Sequence, residues 1–283
     1  MHLAPKGSRL ADLRLVDLRA DHLQVLYAEK LDAGLSSRTV QLLHVVLHHA
    51  LEDAVRWRRL ARNPAKAAMA PKTRRAEMRV WSAEEARAFL AGVKGERLEP
   101  LYRLTLSCGL RLGELLALRW DDLDPDGRRL QVRRTLQRIK GKGIVTGQPK
   151  SAKGRRQIVL PGPVAEGLRH WRVQQKEEHL AAGQRWQDTD YVFTTGVGTS
   201  MEPRNPHRHF KQRAERLSLP TIRFHDLRHT CATLLLSQGV HPKFVQELLG
   251  HANISITLDT YSHFLPPMAE ETARTMERVL LGT

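Results

Sequence analysis

Two apolar segments of helical period follow one another near the carboxyl end of the chain, and a glycine closes each of them. The first segment begins at Asp226 and ends before Gly239. Its apolar residues recur every three or four positions, as they do on one face of a helix: Leu227, Cys231, Leu234 and Leu235. The second begins at Pro242, which suits the first turn of a helix, and stops at Gly250. The pattern predicts two consecutive helices, the second with four apolar side chains turned inward: Phe244, Val245, Leu248 and Leu249.

Polar side chains suited to phosphate chemistry accompany these two helices. His225 and Arg228 are three positions apart and share one face if the segment is helical. His251 follows the second closing glycine, and Tyr261 comes ten residues later. An arginine offers a planar fork for two phosphate oxygens, and a histidine donates to an oxygen or transfers a proton near neutral pH. A tyrosine, with its usual pKa of about 10, needs a neighbouring base or a positive field to act as a nucleophile.

Two further basic features lie upstream. Arg111 is bracketed by glycines, a spacing that predicts a tight turn between two helices with the arginine projecting from it. A turn rich in lysine and arginine spans residues 148–156 and contains Lys150 and Lys153.

The resulting order of Arg, Lys, His-x-x-Arg, His and Tyr resembles the tyrosine recombinase (phage integrase) family. The resemblance covers nearly the whole chain and rests on four separate motifs in the family's order. A lone His-x-x-Arg or Gly-x-Arg arises often by chance, whereas the combination is specific. The resemblance implies a site-specific DNA recombinase, an integrase or excision enzyme. Such an enzyme cuts and rejoins DNA through a covalent 3′-phosphotyrosine, without a metal, another cofactor or ATP.

The resemblance also implies a role for the nucleophile and the two arginines. Tyr261 attacks the scissile phosphate and frees a 5′-hydroxyl. Arg111 and Arg228 bind the non-bridging oxygens and compensate the charge that grows in the transition state. With one lysine, these arginines supply the positive charge that a pair of Mg²⁺ ions provides in other phosphoryl-transfer enzymes.

Three further residues carry or position protons in the mechanism that the resemblance implies. Lys150 protonates the departing 5′-oxygen, with Lys153 as the alternative lysine. His225 takes or positions the proton of Tyr261. His251 donates a hydrogen bond to a phosphate oxygen.

The chain is strongly basic, which favours a polyanionic partner. It has 46 Lys and Arg against 30 Asp and Glu, a net charge of +16, and residues 128–156 hold eleven basic residues and no acidic one. We expect double-stranded DNA as the partner, with Arg38, Arg155 and Arg156 at phosphates. No run approaches the ~20 apolar residues of a membrane span, and the first residues lack the apolar segment of a secretion signal. We therefore expect a cytoplasmic, nucleoid-associated protein that makes no membrane contact.

The predicted fold is mainly helical with a small β-sheet, in two domains. Residues 1–70 are predicted to form a helical core-binding domain, 71–80 a basic linker, and 81–283 an α+β catalytic domain with a C-terminal exchange helix. By comparison with the family pattern, the first domain is expected to be incomplete at its amino end and to bind DNA more weakly. The apolar stripe of residues 269–281 implies docking on a neighbouring subunit in a homotetramer on synapsed sites. Docking on its own domain is the alternative, and DNA-bending accessory proteins are further partners that the family admits.

Local signals predict the other elements. Asp21 is predicted to cap a first helix, and residues 36–57 to form a second. Ser82 and Glu85 have the spacing of a capping box. Further helices are predicted at 98–107, 112–120, 163–182 and 205–217. Strands are predicted at 129–138, 143–147 and 155–160.

Other functions and a metal site are alternatives to this hypothesis. A Xer-type resolvase of chromosome or plasmid dimers and a type IB topoisomerase-like enzyme share the chemistry, and a catalytically silent DNA-binding relative shares the fold. The C-terminal helix favours recombination, and the intact set of six residues favours catalysis. His225 and His229 are spaced like a zinc pair, but no glutamate lies between them and Arg228 would repel a cation. A second group lacks a cysteine or carboxylate to complete a ligand set: His44, His48 and His49.

Overall fold

A computed structural model describes residues 13–73, 78–149, 152–261, 274 and 276–280. The chain divides into two compact units, Met1–Glu77 and Met78–Thr283. The division falls within the basic segment that the sequence predicts as a linker. Helices make up most of the described regular structure, and the strands form two small antiparallel sheets. The prediction of a mainly helical α+β fold is therefore confirmed.

The first unit is built from helices α1 (Ala20–Asp32) and α2 (Ser37–Arg56). Their apolar faces form a small core together with Ala65 of the segment that follows. The core residues of the two helices are Leu23, Leu26, Tyr27, Val40 and Leu51. Ser36 caps α2 by accepting a 3.2 Å hydrogen bond from the backbone N–H three residues on. The prediction that Asp21 caps α1 was wrong, because Arg19 is the N-cap residue. Asp21 lies in the first turn, where a carboxylate faces the positive end of the helix dipole.

The second unit contains eight further helices and four strands among its described residues. The helices are α3 (Ala83–Gly92), α4 (Glu99–Cys108), α5 (Leu112–Leu116), α6 (Gly162–Ala182), α7 (Arg204–Arg216), α8 (Asp226–Ser237), α9 (Pro242–Leu249) and α10 (Ile254–Tyr261). The strands are β1 (Arg129–Val132), β2 (Thr135–Ile139), β3 (Gly143–Gly147) and β4 (Arg156–Val159). Residues 274 and 276–280 are also helical, and the rest of the predicted helix 269–281 lies outside the described residues. No described helix has the length and apolar character needed to cross a membrane.

The start of the second unit is fixed by local and distant hydrogen bonds. The predicted capping box is confirmed: Ser82 Oγ accepts from the N–H of Glu85 at 3.2 Å, and the Glu85 carboxylate accepts from the N–H of Ser82 at 2.8 Å. Trp81, directly before it, is buried. Its indole N–H donates to the carbonyl of Pro220 at 2.9 Å, and its backbone N–H donates to Thr230 Oγ1 at 3.1 Å. These bonds attach the first residues of the unit to α8 and to the segment that precedes it.

Helix α5 is shorter than predicted. The sequence predicts a helix as far as Trp120, but α5 ends at Leu116. Residues 115–118 are all buried, so this run has no face for solvent. The carbonyl of Leu118 accepts a 2.8 Å hydrogen bond from the N–H of Val192, which replaces the next bond of the helix. A short apolar run is compatible with either a buried helix or a buried extended segment, and tertiary pairing decided between them.

The strand predicted at 129–138 is two strands that belong to different sheets. Strand β1 pairs with β4, and β2 pairs with β3 in a hairpin. The chain passes from one sheet to the other at Arg133 and Arg134, and Arg134 Nη1 contacts Asp122 at 2.8 Å. The strand predicted at 143–147 is confirmed, and the last strand is shorter at both ends than predicted.

The two C-terminal helices predicted from the apolar pattern are confirmed as α8 and α9. Val245 and Leu249 are fully buried and Leu248 is half-buried. Phe244 is 65% exposed, so its prediction as an inward residue was wrong. The buried stripe of this short helix runs along positions four apart, and Phe244 lies one position outside it. Gly250 ends α9 with a φ of +66°, in the left-handed conformation that glycine adopts without strain.

Helix α4 packs against both α6 and α8, and Gly109 at its carboxyl end lies against Leu249 at the end of α9. The aromatic part of the core surrounds α4: Trp81, Phe89, Tyr102, Phe210 and Phe224. Gly109 follows α4 with a φ of +61°, and a Cβ at this position would lie 2.5 Å from Leu249 Cδ2. This close approach brings the turn that carries Arg111 next to the turn that carries His251.

Candidate active site

Arg228 lies in the first turn of α8 and is almost completely buried, with 2% of the residue exposed. Its Nη1 donates a 2.6 Å hydrogen bond to the carbonyl of Gly109, and its Nη2 donates a 2.7 Å bond to the carbonyl of Leu249. The guanidinium therefore joins the ends of α4 and α9. Burial lowers the pKa of Arg228, and the charge of Arg111 lowers it further. Because a guanidinium keeps its proton at neutral pH, Arg228 is a fixed positive charge inside the site.

Arg111 is the N-cap residue of α5, on the turn that the glycines predicted. Its Nη1 donates to Glu114 Oε1 at 2.8 Å, and its backbone N–H donates to Glu114 Oε2 at 3.1 Å. The Arg111 side chain is 40% exposed, whereas that of Glu114 is 2% exposed. Glu114 thus orients the guanidinium and leaves part of it open to a ligand.

A second arginine shares the buried carboxylate of Glu114. Arg156, the first residue of β4, donates from Nη2 to Glu114 Oε2 at 3.0 Å, and its side chain is 7% exposed. Its other donors contact the carbonyls of Leu248 at 2.6 Å and Gly154 at 3.1 Å. Burial alone would raise the pKa of Glu114, but the charges of Arg156 and Arg111 outweigh it and hold that pKa below its usual value. Arg156, predicted at a DNA phosphate, is instead engaged by internal groups in the structure.

His251 directly follows Gly250, whose left-handed conformation ends α9 and sets the position of the histidine. Its N–H donates to the carbonyl of Gln246 at 3.1 Å, and its carbonyl accepts from the Gln246 side chain at 2.9 Å. The ring nitrogen Nδ1 lies 2.9 Å from Thr257 Oγ1, so a ligand would meet Nε2. Burial and then the charge of Arg228 lower the pKa of His251 to about 3. The imidazole is therefore neutral at neutral pH.

Tyr261 ends α10 and is fully buried. Its Oη lies 2.6 Å from Nδ1 of His229, and apolar side chains surround the ring: Ala232, Leu236, Val245 and Leu249. Burial raises the pKa of Tyr261 to about 12, although the charge of Arg228 acts in the opposite direction. Burial, followed by the neighbouring His225, lowers the pKa of His229 to about 4. At neutral pH the pair is a neutral phenol against a neutral imidazole.

His225 is the N-cap residue of α8 and remains exposed. Its ring lies 5.0 Å from the ring of His229, edge to face. Partial burial and the charge of Arg228 lower its pKa. Among the hydrogen bonds of the described residues, none joins His225 to Tyr261. The structure therefore puts His229, which the sequence presented only as half of a zinc-like pair, against the phenol.

Of the two candidate lysines, Lys150 lies outside the described residues. Lys153 lies in the short 3₁₀ turn Ala152–Gly154 and is exposed. Its Nζ donates a 2.8 Å hydrogen bond to the carbonyl of Ala252, the residue after His251. The structure thus brings the alternative lysine to the edge of the site.

The remaining arginines predicted at DNA lie on the surface. Arg155 is exposed and lines a groove of about 600 Å³ together with Arg133 and Gln157. Arg38 is exposed on α2, and its Nη1 contacts Gln41 Oε1 at 2.9 Å. Both guanidinium groups are therefore accessible to a polyanion.

The arrangement suits a phosphorus centre that gains negative charge. Arg111, Arg228 and Lys153 supply positive charge around neutral imidazoles and a phenol, and preorganised donors of this kind stabilise a developing anion. No group of three or more His, Cys, Asp or Glu side chains in the described residues is placed to hold a metal ion.

The chain is similar to known proteins in sequence and in fold. Residues 80–266 match the model of the phage integrase family. The chain is 32% identical to a tyrosine recombinase XerC-like protein of Caldanaerobacter subterraneus subsp. tengcongensis, over 98% of this chain and 75% of that protein. It is 28% identical to the ICEBs1 integrase of Bacillus subtilis, over 88% of this chain and 68% of the integrase. The Tn1549 transposon integrase, solved in complex with a circular intermediate DNA, has the same fold. Its TM-score is 0.78 at 22% identity, over 97% of this chain and 89% of that one.

Proposed function

Because the chain belongs to the phage integrase family of tyrosine recombinases, enzymes that cut and rejoin DNA, we propose that it exchanges strands between two DNA sites through Tyr261. One observation carries the proposal. Arg228 is hydrogen-bonded to the segments that hold Arg111 and His251, and the charges of both arginines act on the Tyr261 hydroxyl. Residues spread over 150 positions of sequence thus converge on one phenol.

In the proposed reaction, Oη of Tyr261 attacks the scissile phosphorus and displaces the 5′-oxygen, which leaves a 3′-phosphotyrosine. Arg228 and the exposed part of Arg111 bind the two non-bridging oxygens, whose charge grows in the transition state. His251 donates from Nε2 to one of these oxygens, and His225 is assigned to positioning the proton of Tyr261. The new ester keeps the energy of the phosphodiester, so the 5′-hydroxyl of a partner strand reverses the step without ATP.

We assign protonation of the departing 5′-oxygen to Lys150, with Lys153 as the alternative. A flexible ammonium suits a proton donor that must reach the leaving group. A substrate with sulfur in place of the bridging 5′-oxygen separates the two, because a thiolate leaves without a proton. We expect Lys150→Ala to lose cleavage of normal DNA and to regain it on the sulfur substrate. The same behaviour of Lys153→Ala would transfer the role to Lys153.

Double-stranded DNA is the proposed substrate and partner. The net charge of +16 and the exposed Arg38 and Arg155 support contacts with the phosphate backbone. The Tn1549 integrase with a similar fold was solved in complex with DNA. In a bacterial cell this substrate would place the protein at the nucleoid, where DNA-bending proteins act as further partners.

We also propose a tetramer on two synapsed sites, assembled through residues 269–281. Within that segment Met276, Val279 and Leu280 are 50%, 72% and 70% exposed, an apolar face suited to a neighbouring subunit. Deletion of residues 267–283 should abolish complexes that hold two DNA duplexes while single-site binding persists. Unchanged synapsis by native gel would contradict this assembly, and loss of soluble protein would indicate docking on the chain's own unit.

A Xer-type resolvase is the second candidate, because the chain is 32% identical to a XerC-like protein. The chemistry is the same, and the two functions differ in which sites are joined. Mapping the bases linked to the protein on element and chromosomal DNA distinguishes them: attachment sites at the ends of an element support integration, and a single chromosomal site supports dimer resolution.

The chemistry itself is tested with a nicked suicide substrate, in which the released strand diffuses away and traps the covalent product. We expect a protein–DNA adduct on a denaturing gel, absent in Tyr261→Phe. An adduct that persists in Tyr261→Phe would overturn the assignment of the nucleophile. Strand exchange between two labelled sites then separates a recombinase from an enzyme that only relaxes DNA.

A further inference from the structure

The hydroxyl of Tyr261 contacts a side chain outside the proposed catalytic set. Oη and His229 Nδ1 are 2.6 Å apart, at the short end of protein hydrogen bonds. Tyr261 is fully buried and His229 is half-buried, so the contact is largely shielded from solvent. The contact spans 32 positions of sequence and depends on the packing of α10 against α8.

The proton in this bond belongs to the phenol. This is the one hydrogen bond of Oη among the described residues, and the phenolic proton must have an acceptor because Oη is buried. If the imidazole donated from Nδ1 instead, the phenolic proton would remain unpaired. Nδ1 is therefore the acceptor, and the imidazole carries its own hydrogen on Nε2.

We propose that His229 is the proton acceptor for Tyr261 during DNA cleavage, an assignment that rests on the proposed function. As the bond from Oη to phosphorus forms, the phenolic proton passes to Nδ1. The bond from phosphorus to the 5′-oxygen breaks, and that oxygen takes a proton from the catalytic lysine. In the rejoining step a 5′-hydroxyl attacks the phosphotyrosine and returns its proton to the lysine. The bond from phosphorus to Oη breaks, and His229 returns the phenolic proton to Oη.

The protonation states of the pair at neutral pH allow this transfer. With a pKa lowered to about 4, His229 is unprotonated and free to accept, and with a pKa raised to about 12, Tyr261 requires a base. Transfer of the phenolic proton to His229 is unfavourable in the resting protein. It becomes favourable only as Oη bonds to phosphorus, because that bond makes the phenolic proton more acidic. The carboxylate of Asp226 raises the pKa of His229 and so favours the imidazolium that results.

The test compares rates of adduct formation in a single turnover on nicked DNA. His229→Asn keeps an acceptor near the position of Nδ1 but has no basic nitrogen, and His229→Ala leaves space for added imidazole. A matched control exists in the same unit, where Tyr102 Oη lies 2.7 Å from His209 Nδ1. His209→Ala removes an equivalent bond outside the site. Thermal unfolding and gel shifts establish that each variant is folded and binds DNA.

We expect His229→Asn to form the adduct about 100-fold more slowly than the wild type, as for loss of a general base. Imidazole should restore part of the rate of His229→Ala, and His209→Ala should react at nearly the wild-type rate. A wild-type rate in His229→Asn would overturn the proposal, because holding the hydroxyl would then be sufficient. Absence of any adduct in the wild type would instead overturn the proposed function and with it this assignment. An adduct of normal rate in Tyr261→Phe would do the same.

Discussion

Arg156 Nη2 lies 3.0 Å from Glu114 Oε2, and this buried ion pair connects β4 to α5, the helix that follows Arg111. The other oxygen of Glu114 accepts from Arg111. Because the same Arg156 also contacts the carbonyl of Gly154, the lysine-bearing turn and Arg111 are attached to one carboxylate. A displacement of Arg156 would therefore alter the geometry of two catalytic segments together.

Glu114→Gln should destabilise the fold and slow DNA cleavage. The change leaves Arg156 buried without its counter-charge, for which we expect a loss of about 3 kcal/mol in the free energy of unfolding. Urea unfolding and the rate of adduct formation are the measurements. Glu84→Gln is the matched control, since Glu84 pairs with Arg87 on the surface of α3, with both side chains more than 70% exposed. It should leave the free energy of unfolding nearly unchanged. Equal effects of the two substitutions would contradict a special role for the buried pair.

Gly109→Ala should be more harmful than its backbone conformation alone explains. A Cβ at Gly109 would approach Leu249 Cδ2 to 2.5 Å and displace the carbonyl that Arg228 contacts. Gly127 has a similar φ of +66° with no atom within 4 Å of such a Cβ, so Gly127→Ala measures the conformational cost of about 1 kcal/mol. We expect Gly109→Ala to exceed that cost by about 1–3 kcal/mol in thermal unfolding and to lose cleavage. Identical unfolding midpoints would argue against the close approach.

Acidification should destabilise the protein through His229 and His251. Their folded-state pKa values are lowered to about 4 and about 3, whereas an unfolded histidine titrates near 6.5. The unfolded state therefore binds more protons below about pH 6.5, and this part of the stability is complete above that pH and falls progressively toward pH 4. Unfolding midpoints at about pH 7 and about pH 5 should differ less in His229→Asn than in the wild type. An equal pH dependence in both proteins would show that the pKa of His229 does not differ between the folded and unfolded states.

Arg155 should contribute to DNA binding mainly through charge. If its exposed guanidinium neutralises one phosphate, Arg155→Gln should reduce the slope of log affinity against log salt by about 0.9. Arg155→Lys keeps the charge and should keep the slope. Binding titrations over a range of salt concentrations measure both. A slope that does not change in Arg155→Gln would remove Arg155 from the interface.

The sequence predicted elements whose signals are local. The capping box of Ser82 and Glu85 needs only side chains three residues apart, and the glycine after α9 needs only the conformation of one residue. The candidate catalytic Arg, His and Tyr residues were predictable for the same reason, because they lie in short sequence motifs. Their contacts were not, because His229 meets Tyr261 across 32 positions and Arg228 meets Gly109 across 119.

Two differences between the predicted and the observed secondary structure have the same physical origin. Helix α5 ends at Leu116 because Leu118 pairs with Val192 instead of continuing the helix, and the strand at 129–138 divides because its halves pair with different strands. Arg156 looked like a surface cation in a basic turn, and only the tertiary position of Glu114 makes it internal. Such outcomes depend on distant segments, and the periodicity of a single stretch does not encode them.

The two acceptors of Arg228 are main-chain oxygens, at Gly109 and Leu249. Every amino acid has a main-chain carbonyl oxygen, so no single substitution at Gly109 or Leu249 removes an acceptor of Arg228. A substitution there can only move the acceptor. The arginine is also immobilised when the chain folds, before any nucleic acid arrives, and the entropy of ordering it is lost at that stage and not during cleavage. The position of this guanidinium therefore depends on the path of the main chain at Gly109 and Leu249 and not on the side chains there.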